Sequence, residues 1–283
     1  AFVGNPNVGK TALINQISHA SLKMGNWPGV TIEKKEVFFK VGDEDVKLID
    51  LPGIYNLSMS TAEERVSRDF LLDEKVDVII NVLDSTSLEK NIYLTALLKD
   101  IPVVMALNFE DEFKRIGYQL DIEKFEKQLG VPVIFTSGRS GAGVDKLMEK
   151  AVELYKKNSS DKKIQHRLPF EKEIEDNIKS LKDKLENDKS YEKVLEKYPV
   201  EWLAIKILED DTNVAARVKT EFGVSVSNIG ETEKKNIENR YGIEPQDALA
   251  RERYGIVRGI ISMNLKRGTG DKFALTDKID KVL

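Results

Sequence analysis

Eight residues near the start of the chain, Gly4-Asn5-Pro6-Asn7-Val8-Gly9-Lys10-Thr11, match the phosphate-loop spacing G-x-x-x-x-G-K-[ST] at every fixed position. The chemistry this spacing serves is the holding of a nucleotide's phosphates. Loop N–H groups and the positive end of the following helix cradle anionic oxygens; Lys10 reaches the β- and γ-phosphates, and the Thr11 hydroxyl ligates Mg²⁺. Asn5, Pro6, Asn7, Val8, Gly9 and Ala12 then line the nucleotide beside Lys10 and Thr11.

Three further stretches carry matching chemistry. Asp50-Leu51-Pro52-Gly53 is a D-x-x-G pattern in which Asp50 holds Mg²⁺ through water and the Gly53 amide senses the γ-phosphate. In Asn108-Phe109-Glu110-Asp111 a carboxylate at Asp111 accepts from both the ring N–H and the exocyclic amine of guanine. Adenine offers no such donor pair and would leave a buried charge unpaired, so the base is expected to be guanine, with GTP and GDP as substrate and product. Thr136-Ser137-Gly138 supplies a backbone amide within reach of guanine O6. Between these lies Gly29-Val30-Thr31, where the Thr31 hydroxyl completes the Mg²⁺ shell only when a γ-phosphate is present, linking nucleotide state to loop order.

Catalysis is expected to rest on Lys10, Asn7, Thr31 and Gly53. In Ras-type enzymes a glutamine after the D-x-x-G glycine orients the attacking water; here the position is Ile54, which has no polar side-chain atom. Asn7 offers an oxygen near the β,γ-bridge, suited to hold a K⁺ ion where other enzymes place an arginine finger. The two histidines, His19 and His166, read as structural, and the Lys/Glu-rich stretch from Lys172 to Lys197 as a solvated helix face.

The elements that must position these groups alternate. Strands are predicted at Ala1 to Val3, Glu36 to Val41, Val46 to Asp50, Val78 to Val82, Val103 to Leu107 and Val133 to Phe135. Helices are predicted at Ala12 to Ile17, Thr61 to Leu72 with Ser60 or Thr61 as cap, Leu88 to Leu98, Ile122 to Leu129 and Val144 to Lys157. Met24 to Thr31, rich in turn formers, reads as irregular. The fold class is therefore α/β, a mostly parallel six-stranded sheet with helices on both faces, one hairpin adding an antiparallel strand. Ligand sites in such sheets form at the carboxyl ends of the strands, where the four stretches would meet.

At 283 residues the chain exceeds one ordinary core. Composition turns polar at Asn158 to Lys163, and apolar residues then recur at helical spacing: Ile174, Ile178, Leu181 and Leu185; Trp202, Ile205 and Leu208; Tyr254, Val257 and Ile261. The expected organisation is a nucleotide-binding domain over 1–160, an all-α helical bundle over 161–265 and a linker over 266–283. A net charge of −4 and a pI of 5.6 offer no basic field, so nucleic acid is not expected as a partner. The lack of cysteine excludes disulfides, thiolate metal sites and cysteine nucleophiles. Apolar runs such as Val76 to Leu83 fall short of the ~20 residues that span a bilayer. A start inside a strand and a polar end suggest a soluble fragment of something longer.

Taken together, the phosphate loop, Gly25-Asn26-Trp27-Pro28-Gly29-Val30-Thr31, Asp50-Leu51-Pro52-Gly53-Ile54-Tyr55-Asn56-Leu57 and Asn108-Phe109-Glu110-Asp111 resemble the cytosolic N-terminal part of FeoB, the bacterial ferrous iron transporter. The motifs cover residues 1 to about 155; the helical region matches in length and type. The resemblance implies a Mg²⁺-dependent GTPase domain and a helical domain favouring GDP retention, set before a transmembrane iron-permease region of the same polypeptide. It also implies K⁺-stimulated hydrolysis, carried onto Asn7, fast GDP release, a cytoplasmic location at the bacterial inner membrane, small Feo accessory proteins as partners, and self-association. Two positions depart from the common pattern: Phe109 stands where many GTPases have a lysine along the base, and Gly138 replaces an alanine after Ser137. Two other readings stay open here, an RNA-associated ribosome-assembly GTPase of the Era or TrmE type and a non-hydrolysing nucleotide-gated interaction module.

Overall fold

The computed structural model describes residues 1–17, 21–55, 61–97, 101–160 and 170–268. His19, His166, Asn56, Leu57, Ser60 and the tail from 269 onward lie outside the described residues. The chain divides into two compact units, Ala1–Arg167 with Val257–Leu283, and Leu168–Ile256.

In the first unit, strand β1 (Phe2–Gly4) runs through the phosphate loop into helix α1 (Lys10–Asn15). The hairpin region follows as β2 (Ser21–Asn26), β3 (Glu33–Val41) and β4 (Glu44–Asp50). Helix α2 (Ala62–Asp73) starts where the Thr61 hydroxyl accepts from the Glu64 N–H, with Glu63 and Glu64 at its positive end. Strand β5 (Ile79–Asp84), helix α3 (Leu88–Leu97) and strand β6 (Val103–Asn108) come next. Then come α4 (Glu110–Arg115), β7 (Gln119–Leu120), α5 (Ile122–Leu129), β8 (Val133–Phe135) and α6 (Val144–Ser160). Asp121 caps α5, and Gly130, at φ 68°, ends it in the left-handed region that glycine tolerates.

The main sheet has the order β2-β3-β4-β1-β5-β6-β8. Pairing is parallel from β4 to β8 and antiparallel between β2, β3 and β4. Side chains alternate across it. Phe2, Ile80, Val82, Val104, Ala106 and Ile134 point one way and bury against Leu13 and Ile14 of α1 and Val144, Leu147 and Met148 of α6. On the other face, Asn81 donates to the Thr95 hydroxyl of α3 at 2.7 Å. Both faces being covered, β5 and β6 read as near-continuous apolar runs.

The sheet has seven strands, where the sequence suggests six, and two antiparallel pairings, where it suggests one. The extra strand, β2, includes Met24 to Asn26, expected to be irregular. Its residues are exposed and carry turn formers, so pairing with β3, from Ser21 opposite Phe38 to Asn26 opposite Glu33, makes it a strand.

The second unit is helical, as the spacing requires. Helix α7 (Lys172–Asn187) buries Ile174, Ile178, Leu181 and Leu185, and α8 (Glu192–Lys197) buries Val194. Helix α9 (Val200–Leu208) buries Leu203, Ala204, Ile205, Ile207 and Leu208. Helices α10 (Thr212–Phe222) and α11 (Glu231–Tyr241) follow, then α12 (Pro245–Asn264), whose residues up to Ile256 belong to this unit. Trp202 sits at the edge of this core, stacked on Tyr198 at 5.3 Å, and Tyr254 is exposed, so neither completes its apolar stripe. Within the first unit, β9 (Leu265–Lys266) pairs antiparallel with β7, and the Asp121 N–H donates to the Asn264 carbonyl at 3.1 Å. Lys266, expected to open a linker, is thus strand. No helix among the described residues is long and apolar enough to cross a membrane.

Candidate nucleotide site

Two of the other motif stretches, through Gly53 and Asn108, meet the phosphate loop directly, and the third, through Gly138, packs against Ala12 just beyond it. Gly9, at φ 85°, takes the left-handed turn that starts α1, and a Cβ there would lie 2.3 Å from the Asn108 Nδ2. Only glycine allows both that turn and that approach. A Cβ on Gly53 would lie 3.0 Å from Pro6 Cα and 3.3 Å from the Lys10 Nζ; one on Gly138 would lie 2.9 Å from the Ala12 Cβ.

Asn108 is the brace between them. It is completely buried at the end of β6; its Nδ2 donates to the Val8 carbonyl at 2.9 Å, while its Oδ1 accepts from the Gly138 N–H at 2.9 Å and the Thr136 hydroxyl at 3.5 Å. Thr136 is tied back as well, its N–H donating to the Leu107 carbonyl and its carbonyl accepting from the Glu110 N–H. Phe109 follows at φ 64°, puts the tip of its ring 3.4 Å from a Cβ placed on Gly9, and accepts through its carbonyl from the buried Ser85 hydroxyl at 3.3 Å. Asp111 is exposed in the first turn of α4, with Glu110 and Glu112 beside it.

At the phosphate end, Lys10 is buried and its ammonium donates to the loop carbonyls of Gly4 at 3.2 Å and Asn5 at 3.5 Å. Burial pushes its pKa down, only partly offset by Asp50; burial likewise pushes the Asp50 carboxyl up, against the attraction of Lys10 and Lys35. The pair is therefore under-compensated. An anionic ligand would relieve the lysine, and a cation would relieve Asp50, whose Oδ1 is buried without a hydrogen-bond partner.

That oxygen is also the test of a Mg²⁺ site. No group of three or more metal-binding side chains occurs among the described residues, and Mg²⁺ ordinarily uses one or two carboxylates plus substrate phosphates. A single unpartnered carboxylate oxygen on Asp50, with Thr11 exposed in the first turn of α1, fits that habit. Thr31 is exposed in the connection between β2 and β3, after Gly29 and Val30. Asn7 is exposed at the loop's outer turn, at φ 64°, which asparagine tolerates. Ile54 is 1% exposed, and its N–H donates to the Gly4 carbonyl at 3.1 Å, so its side chain serves the core.

Several bracing residues escape sequence reasoning. The Gln16 amide donates to the Gly138 carbonyl at 3.0 Å, and the Ser67 hydroxyl of α2 to the Pro52 carbonyl at 3.3 Å. Ser85 could be suspected from the Asp84-Ser85-Thr86 cap pattern after β5. Gln16 and Ser67 leave no such signal, because their partners are far along the chain.

Comparison with known proteins adds the following. Residues 1–151 match the family described as Ferrous iron transport protein B, and residues 170–266 the FeoB cytosolic helical domain. A Fe(2+) transport protein A/Fe(2+) transporter FeoB fusion protein of Porphyromonas gingivalis is 33% identical over 100% of this chain and 34% of its own length. A Fe(2+) transporter FeoB of Methanocaldococcus jannaschii is 34% identical over 100% of this chain and 41% of its own length. The chain thus spans well under half the length of these relatives. A crystal structure of an S. thermophilus NFeoB mutant bound to GDP superposes with a TM-score of 0.80 at 32% identity, covering 94% of this chain and 98% of that one.

Proposed function

The chain belongs to the FeoB ferrous iron transport protein B family, and from that premise we propose that it is the GTP-binding and GTP-hydrolysing module of a ferrous iron transporter. The observation that carries the reading is the Asn108 brace, which ties the base-side stretches to the phosphate loop. The GDP-bound relative supports a guanine nucleotide as occupant.

In this reading Lys10 exchanges the Gly4 and Asn5 carbonyls for β- and γ-phosphate oxygens, and Asp111 with Asn108 selects guanine. The Thr136-Ser137-Gly138 backbone faces O6, with Phe109 beside the base. Thr11, Thr31 and Asp50, the last through water, would hold Mg²⁺, and Asn7 would hold K⁺, the two ions supplying charge neutralisation around the β- and γ-phosphates. Water attacks the γ-phosphorus in line, the bond to the β,γ-bridging oxygen breaks, and GDP and phosphate leave. Lys10 spreads the charge that develops on the bridge, and the Gly53 N–H and Thr31 report whether the γ-phosphate is present.

The wider proposal is that nucleotide state is coupled to iron uptake through a transmembrane iron-permease region of the same polypeptide, with this part on the cytoplasmic side. Small Feo accessory proteins and self-association belong to the same proposal. A second reading, a nucleotide-gated module that does not hydrolyse, is favoured by one observation: buried Ile54 removes the usual water-orienting side chain. Single-turnover hydrolysis in K⁺ buffer separates the two.

The base assignment is tested by Asp111→Asn. The variant keeps one acceptor but sets an NH₂ donor against guanine's exocyclic amine in place of the other, so GDP should bind about 2–4 kcal/mol more weakly by titration calorimetry. Xanthosine diphosphate, whose second exocyclic group is a carbonyl, should bind the variant better than GDP does. Unchanged GDP affinity refutes the assignment.

A further inference from the structure

Trp27 is the one buried residue in an otherwise open connection. Its neighbours Asn26, Pro28, Gly29 and Thr31 are exposed, yet the indole is only 6% exposed. It meets Phe70 of α2 edge to face, centroids 5.4 Å apart at 75°, and the Lys34 ammonium lies 4.8 Å from its ring centre. Its backbone closes the turn, the Trp27 N–H donating to the Ile32 carbonyl at 2.9 Å and the Val30 N–H to the Trp27 carbonyl at 3.3 Å. Its Nε1, however, is buried with no acceptor. Such an orphaned donor costs free energy for as long as it stays buried.

Phe70 lies one helical turn beyond Ser67, whose hydroxyl holds the Pro52 carbonyl next to Gly53. A single helix therefore grips both loops: the Pro52-Gly53 turn through Ser67, and the loop bearing Thr31 through Phe70 and Trp27. We propose that Trp27 is a positioning residue, whose indole, seated on Phe70, holds the Thr31 loop on α2, the helix that also grips the Pro52-Gly53 turn, until the triphosphate releases it. The inference rests on the reading of Thr31 and Gly53 as γ-phosphate sensors. Binding of the triphosphate unseats the indole; binding of the diphosphate leaves it in place. The unpaired N–H sets the balance of this latch, since leaving the pocket restores its hydrogen bond.

The chain has two tryptophans, so a Trp202→Phe background makes emission report Trp27 alone. Emission and acrylamide quenching are measured without nucleotide, with GDP and Mg²⁺, and with a non-hydrolysable GTP analogue and Mg²⁺, binding being scored separately by displacement of a labelled GDP. The expected result is a red shift and about a twofold rise in quenching with the analogue only, as for a ring moved from core to water. Two variants should act in opposite directions. Trp27→Phe keeps the ring edge and drops the orphaned N–H, so the seated state gains and analogue affinity relative to GDP falls, on the order of threefold or more. Phe70→Leu loosens the seat and raises that ratio. Analogue binding with unchanged Trp27 emission, or two variants shifting the ratio alike, overturns the latch while leaving the nucleotide reading intact. Failure to bind any guanine nucleotide overturns both.

Discussion

Two asparagines of the site divide its labour by exposure. Asn7 is exposed on the phosphate loop, whereas Asn108 is fully buried and joins three stretches. Replacing Asn108 by alanine strands the Val8 carbonyl and the Gly138 N–H in a dry interior, an expected loss of about 1–3 kcal/mol in thermal or urea unfolding of the nucleotide-free protein. GDP affinity should fall with it. Asn7→Ala should cost no more than about 1–2 kcal/mol in unfolding, the strain of alanine at a φ of 64° that asparagine tolerates better. Its effect belongs to turnover: if Asn7 holds K⁺, the variant hydrolyses GTP equally fast in K⁺ and Na⁺. A K⁺-specific rate increase that survives the change removes Asn7 from that role. The motif places both asparagines at the loop or the base; their different burial is settled by partners a hundred residues apart, which spacing does not encode.

Helices and strands differ in how much of themselves they write into the sequence. Helix α5 carries its cap Asp121, its apolar Phe125 and Leu129 and its terminating Gly130 within ten residues, so its limits are legible. Strands β5 and β6 are apolar runs bounded by polar residues and were equally plain. Strand β2 is the reverse: Leu22 and Met24 stand 52% and 58% exposed, Gly25 and Asn26 favour turns, and the strand exists because β3 lends it a ladder. An element held by one neighbour and no core should open easily. Hydrogen exchange is expected to show amides at Ser21–Asn26 exchanging about a hundredfold or more faster than those at Val103–Asn108, a gap of roughly 3 kcal/mol in opening free energy. Equal protection in the two strands would mean that β2 is fastened by contacts other than those it makes with β3.

Across the whole chain, charge is used in two ways. In the first unit, Lys10 and Asp50 are buried without full compensation, which favours ligands over stability; in the second, the buried charges compensate one another. Glu209, with a side chain 14% exposed, accepts from the Lys206 ammonium at 2.7 Å and from the Arg253 guanidinium. Burial alone would push its carboxyl up, but the two cations hold it at about 2, below the ordinary 4.5. A carboxylate lowered on folding adds stability above its unfolded value, and that contribution drains as pH falls from about 4.5 to about 2. The loss amounts to about 3 kcal/mol over that window. Trp202 stacks on Tyr198 within the same unit, so its emission follows the unfolding of this part of the chain. Glu209→Gln removes the anion that Lys206 and Arg253 share, although Lys206 still lies 4.0 Å from Asp211, and should lose about 3 kcal/mol at neutral pH in urea unfolding. The gap between variant and parent should then narrow as pH falls toward 2, because acid takes from the parent what the substitution has already removed. A gap that stays constant from neutral pH into acid would show that Glu209 acts by shape and not by charge.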